Sequence, residues 1–190
     1  YENNIQGDLV VPRGFVRRLV VMCRQRHIAY ELEDKRRQLP PMNFDFCGRL
    51  RPYQQMAVDK LLLKDFGTLS FPTGSGKTVL GLYMITKRKQ PALVVVHTRD
   101  LAHQWMEKVT EFLSIPFEEI GMIGAGKFRV GKRVTLAMIQ TLYRCADDVS
   151  RNIGFLIVDE CHRTPSRTFT EAVTAFDSRY MLGLSATPWR

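Results

Sequence analysis

The stretch Phe71-Pro72-Thr73-Gly74-Ser75-Gly76-Lys77-Thr78 gathers the groups needed to hold a polyphosphate. Glycines let a backbone wrap closely around an anion, and the amides of Thr73, Gly74, Ser75 and Gly76 can face phosphate oxygens at the start of a helix. Lys77 carries a cation that reaches β and γ phosphates, and the Thr78 hydroxyl is a hard ligand suited to Mg2+. Eighty-two positions after Lys77, the run Ile157-Val158-Asp159-Glu160-Cys161-His162 ends an apolar segment with two acids. Asp159 suits Mg2+ held through its water shell, and Glu160 suits a base that orients and deprotonates a water attacking the γ-phosphate. Together the two segments predict binding and hydrolysis of a nucleoside triphosphate with Mg2+, with Lys77, Asp159 and Glu160 catalytic. Read separately, each has a plainer meaning: a glycine-rich turn, and two exposed acids closing a strand. The first loop also departs from the general pattern, because Phe71 stands where that pattern begins with glycine.

Such a loop must follow a strand and open a helix, and the acids must end a second strand of the same sheet. The chain meets both conditions. Nearly unbroken apolar runs predict buried strands at 68–71, 92–97, 134–139, 155–159 and 180–184. Helical spacing is found at 77–87, 101–113, 140–144 and 166–176. The alternation predicts an α/β domain with a mostly parallel sheet and helices on both faces. Before it, Leu9-Val10-Val11, a helical pattern from Gly14 to His27 and an extended run Ala29 to Asp34 predict a small strand-helix-strand unit. Lys35-Arg36-Arg37 and Pro40-Pro41 break the periodicity, so the expected organisation is an accessory segment and linker at 1–43 and the main domain at 44–190.

Of the 190 residues, 45% are apolar and 25% charged, the usage of a globular domain. The net charge is +9, of which residues 49–190 carry +7, with 20 basic and 13 acidic side chains. That excess suits a polyanionic partner, or a surface tuned for solubility. No apolar stretch is long enough to span a bilayer and no signal peptide opens the chain, so no membrane partner is expected. Cys23, Cys47, Cys145 and Cys161 lack paired spacing, which points to reduced thiols in the cytoplasm, or the nucleus of a eukaryote. Cys23 and His27 stand four apart, but no second pair at ligand spacing completes a zinc site.

The motif set resembles the superfamily 2 helicases and translocases over residues 49–190. Asp159-Glu160-Cys161-His162 looks like their Walker B box of the DExH type, and Ser185-Ala186-Thr187 looks like their motif III. Leu50-Arg51-Pro52-Tyr53-Gln54 is similar to their adenine-recognition element. Val96-His97-Thr98-Arg99 with Leu101 and Gln104 looks like motif Ia, and Ala137 to Leu142 looks like the later strand-binding element. The opening Arg-Pro-Tyr-Gln together with the DECH box resembles the branch containing XPB and the motor subunits of restriction enzymes.

The resemblance implies a RecA-like domain that binds ATP and Mg2+, with Arg51 and Gln54 at the adenine. It implies that His162, Ser185 and Thr187 couple nucleotide state to movement, and that Thr98, Arg99 and Thr141 touch nucleic-acid backbone, DNA before RNA. Thr98 and Thr141 also read as ordinary helix caps, and residues 124–133 as either a phosphate-contacting loop or a basic β-hairpin. The family further implies a second RecA-like domain supplying arginine fingers. No match to it lies in these residues, and Tyr1 replaces an initiating Met, so a fragment of a larger motor, poorly active alone, is expected. Two other readings stay open: residues 1–48 as a nucleic-acid recognition module on an inactive ATPase half, and a P-loop ATPase acting on protein partners.

Overall fold

The computed structural model describes residues 2–3, 9–11, 13–161 and 172–187. The chain divides into two compact units, residues 1–35 and 36–190. In the first, β1 (Glu2–Asn3) pairs antiparallel with β2 (Leu9–Val10), and a 3-10 turn leads into α1 (Val16–Gln25). The helix closes where His27 turns left-handed at φ 54° and Ile28 N–H bonds back to the Cys23 carbonyl at 2.9 Å. The strand expected at 29–34 is absent. An extended run is a strand only when its N–H and C=O groups find a neighbouring ladder, and none pairs with it among the described residues.

The division falls eight residues before the expected boundary, because residues 36–43 are built into the larger unit. Arg36 pairs with Asp65 at 2.8 Å, and Arg37 N–H bonds the Asp177 carbonyl at 2.7 Å while its own carbonyl accepts from Arg179 N–H at 2.8 Å. The carboxamide of buried Gln90 accepts from Leu39 N–H and donates to Leu39 O, both at 2.8 Å. A basic, proline-containing run that reads as a linker is a strap.

Among the described residues of the larger unit, seven strands form one sheet. In chain order its elements are α2 (Pro52–Leu62), β3 (Phe66–Ser70), α3 (Lys77–Arg88), β4 (Ala92–Val96), α4 (Arg99–Leu113), β5 (Gly121–Gly124), β6 (Lys127–Arg129), β7 (Val134–Met138), α5 (Ile139–Leu142), α6 (Ala146–Ser150), β8 (Phe155–Val158) and β9 (Tyr180–Ser185). The strand order is β3-β9-β8-β4-β7-β5-β6, parallel except for β6, which returns antiparallel beside β5. This is the expected α/β architecture, with the predicted strands and the helices α3 and α4 in place. Of the helix expected at 166–176, residues 166–171 lie outside the described residues, and 172–174 are helical.

β4 shows why the sheet must be covered on both faces: all five of its residues are buried. Ala92, Val94 and Val96 join one apolar cluster with Leu80 of α3, Trp105 and Val109 of α4 and Val58 of α2. Leu93 and Val95 join the opposite cluster, with Leu142 of α5, Val149 of α6 and Phe176. A strand with this period-two split between two cores cannot face water on either side. Because the parallel strands run in one direction, the loops after β3, β9, β8, β4 and β7 all emerge at one edge, where open α/β sheets gather their functional residues.

Candidate active site

The phosphate loop spans 71–76 between β3 and α3, and its shape is forced locally. Gly74 and Gly76 are left-handed at φ 77° and 83°, a region other residues enter only with strain. Ser75 Oγ donates to the Pro72 carbonyl at 2.6 Å, so the loop closes on itself. Lys77 begins α3, and its ammonium donates to the carbonyls of Phe71 at 3.0 Å and Pro72 at 3.1 Å. Thr78 follows, half-buried in the first helical turn. Thr73 and Gly74 are exposed at the crown.

Phe71 is explained by its surroundings. Its backbone does the anchoring, with N–H bonded to Ser185 O at 3.1 Å, and its ring packs edge-on against Tyr53 at 5.8 Å. Neither role needs a glycine.

Gln54 is placed differently from a free adenine reader. It is buried, and its carboxamide is spent in part on the protein: Oε1 accepts from Arg51 N–H at 2.9 Å and Nε2 donates to Ser75 O at 3.0 Å. Tyr53 OH reaches the same carbonyl at 3.1 Å. Arg51 itself is the exposed N-cap residue of α2, with Pro52 at the first helical position, where a missing N–H costs nothing. One hydrogen and one lone pair of the Gln54 amide stay available to a base edge. The bracing of the phosphate loop was not legible in the motif.

Asp159 and Glu160 leave the end of β8, two strands from β3, with β9 between them. Asp159 is 7% exposed, and burial pushes its carboxyl above the usual carboxylate range. Hydrogen bonds from Trp105 Nε1–H (2.8 Å) and Glu160 N–H (2.9 Å), and the Lys77 charge, act in the opposite sense. Glu160 is left-handed at φ 51°, a strained setting for a non-glycine residue of the kind found at functional sites.

From β9, the Ser185 hydroxyl donates to Thr187 O at 2.6 Å and accepts from Thr187 N–H at 3.1 Å, so the two residues expected to couple form one tight turn. His162 lies outside the described residues. The fold thus brings Lys77, Thr78, Asp159, Glu160, Ser185 and Thr187 to three adjacent strand ends.

The expected nucleic-acid residues lie further along the same edge. Thr98 caps α4, its Oγ1 accepting from Leu101 N–H at 3.2 Å, so the capping role is real, and Arg99 beside it is exposed. Thr141 is half-buried in α5, after β7, and Gln140 Nε2 ties that loop to His97 O at 3.3 Å. The segment 124–133 is the hairpin alternative: β5 and β6 turn through Ala125 and Gly126, both left-handed. Its cations are partly spent inside the fold, Arg129 on the Glu118 and Ile120 carbonyls and Arg133 on Glu119 at 2.8 Å.

The site fits a triphosphate with a hard divalent cation. A Cβ on Gly74 would meet nothing within 4 Å, so the crown is open to a ligand, and the buried carboxylate of Asp159 gains from a cation beside it. Thr78 and Asp159 are the residues that would hold Mg2+. Loop, acids, motif III turn and sheet order define a RecA-like ATP-binding domain of the superfamily 2 helicases.

The family model described as "Type III restriction enzyme, res subunit" matches residues 48–190, and the chain belongs to that family. It is 36% identical over 141 residues to the DNA 3'-5' translocase XPB2 of Sulfurisphaera tokodaii, covering 74% of this chain and 31% of that protein. It is 36% identical over 154 residues to the putative DNA 3'-5' helicase Rad25 of Halobacterium salinarum, covering 79% and 25%. The chain therefore spans about a quarter to a third of the length of these relatives. The crystal structure of the UvsW helicase from bacteriophage T4 shares the fold, with TM-score 0.71 and 18% identity over 97% of this chain and 74% of that one. Among the described residues no helix is long and apolar enough to cross a membrane.

Proposed function

We propose that residues 36–190 are the ATP-binding half of a DNA translocase or helicase motor that couples ATP hydrolysis to movement when joined to a second RecA-like domain. The observation that carries this reading is the arrangement of β3, β9 and β8, which delivers Lys77, the Ser185–Thr187 turn and the Asp159–Glu160 pair to neighbouring strand ends. DNA is favoured as the track because the relatives XPB2 and Rad25 are named for DNA.

In this scheme the loop amides and Lys77 hold the β and γ phosphates, and the left-handed glycines let the backbone approach them. Mg2+, when bound, neutralises charge on the phosphate oxygens. Thr78 and Asp159 would hold it, and Glu160 would accept the proton of the attacking water. Arginines of a second domain would stabilise the charge developing on the transferred group, a contribution typically worth about 10³ to 10⁵ in rate. Thr98, Arg99 and Thr141 meet the backbone of the track, and the Ser185–Thr187 turn lies between the two halves of the ATP site, placed to sense both.

The test is ATP hydrolysis with a second RecA-like domain present, with single-stranded DNA, double-stranded DNA or RNA added. DNA-stimulated turnover supports the reading, stimulation by RNA alone reassigns the track, and MgATP turnover indifferent to any polymer favours an ATPase acting on proteins.

A further inference from the structure

Trp105 stands on α4, two turns after the Thr98 cap, and is 1% exposed. Its indole Nε1–H donates to Asp159 Oδ2 at 2.8 Å, while Glu160 N–H donates to Oδ1 at 2.9 Å. Each oxygen of the carboxylate is met by a donor fixed in the fold, one by a helix and one by its own strand end. A buried indole N–H needs an acceptor, but a neutral carbonyl would serve. Here the acceptor is the buried acid placed to hold the metal.

The α3 side shows the same fit. An ideal Cβ on Gly81 would lie 3.0 Å from the tip of the Trp105 ring. Glycine is unfavourable in a helix interior, so its presence in the middle of α3 is explained by the close approach of the indole. Trp105 thereby wedges between the helix that begins with Lys77 and the strand end that carries Asp159, on a helix that begins beside Arg99.

We infer that Trp105 is a positioning residue for the metal-holding carboxylate, orienting Asp159 through its N–H and tying it to α4. The inference rests on the reading of Asp159 as the acid that holds Mg2+ through its water shell. Partners that orient a ligating group typically tune metal affinity by about 10- to 100-fold. The indole holds Oδ2 and the Glu160 N–H holds Oδ1, so the carboxyl resists rotation.

The experiment compares the wild-type chain with Trp105→Phe and with a chain carrying benzothienylalanine at 105, which keeps the indole shape and lacks the N–H. Binding of a fluorescent ATP analogue is followed as Mg2+ is titrated and again in EDTA, and each protein is melted. The expected result is a Mg2+ half-saturation point raised about tenfold in both variants, with affinity in EDTA unchanged and the isostere melting close to wild type. The isostere keeps the test alive should the Phe variant fail to fold. An isostere with wild-type Mg2+ dependence overturns the inference, leaving Trp105 a space-filler. A wild-type chain whose nucleotide binding ignores Mg2+ is a separate outcome, which overturns the reading of Asp159 beneath it.

Discussion

Gln54 Nε2 donates to the carbonyl of Ser75 at 3.0 Å, joining the first turn of α2 to the phosphate loop, and an ideal Cβ on Gly76 would lie 2.6 Å from that same nitrogen. Gln54→Glu removes the donor and sets a second oxygen against the carbonyl. A net hydrogen bond is worth about 0.5–1.5 kcal/mol, so MgATP should bind roughly 2- to 10-fold more weakly. Calorimetry with inorganic tripolyphosphate separates bracing from base reading: bracing lowers affinity for both ligands, base reading for ATP alone. Gly76→Ala should be worse than Gln54→Glu, because it adds left-handed strain of about 1–2 kcal/mol to displacement of the Gln54 amide.

Lys77 and Glu160 should separate binding from chemistry. Lys77→Ala removes the phosphate-facing cation from the half-buried first position of α3. A hydrogen bond to a charged group is worth about 1.5–3 kcal/mol, so ATP affinity should fall at least about tenfold, with little change in melting temperature. Glu160→Gln keeps the shape and loses the base. It should bind MgATP as wild type while kcat, measured with a second RecA-like domain present, drops about 10²- to 10⁴-fold. Wild-type kcat in Glu160→Gln would show that another group takes the proton.

Asp159 should titrate above the ordinary carboxylate range, because burial penalises its charged form. A raised acid holds its proton more tightly folded than unfolded, so its stabilising contribution is complete below the unfolded value. It is lost as pH climbs from there through the folded value. Mg2+ needs the carboxylate, so acidification through the same raised value should weaken Mg2+ binding. Carbon-13 NMR of the Asp159 carboxyl in metal-free protein checks this; a midpoint at or below about 3.9 would contradict it.

Thr98 and Arg99 are adjacent yet should fail differently. Thr98→Ala removes the cap of α4 and should cost about 1 kcal/mol of stability in chemical denaturation. Arg99→Ala leaves the cap intact and, on an exposed side chain, should leave stability nearly unchanged. It should weaken oligonucleotide binding and reduce its salt dependence by about one phosphate contact. Unchanged oligonucleotide affinity in Arg99→Ala would remove this residue from the track.

What the sequence determined on its own was whatever is settled within a few residues. The glycine-rich turn at 74 and 76, the start of α3 at Lys77, the buried run of β4 and the acids closing β8 follow from local backbone geometry and period-two or helical patterning, and all were legible. Tertiary structure decided what depends on partners distant in the chain. Residues 29–34 are extended in pattern but find no ladder among the described residues, whereas 36–43 look like a linker and are held by Gln90, Asp65 and Asp177. Gln54 reads as an adenine contact, and only the fold adds the bond from its amide to Ser75. The bond from Trp105 to Asp159 spans 54 positions and follows no motif spacing. It exists because α3 has a glycine where the indole must pass and because Trp105 shares one core cluster with Ile157 of β8. A short pattern can specify which chemistry a loop carries. Which buried donor steadies that chemistry is settled only when helices pack on the sheet.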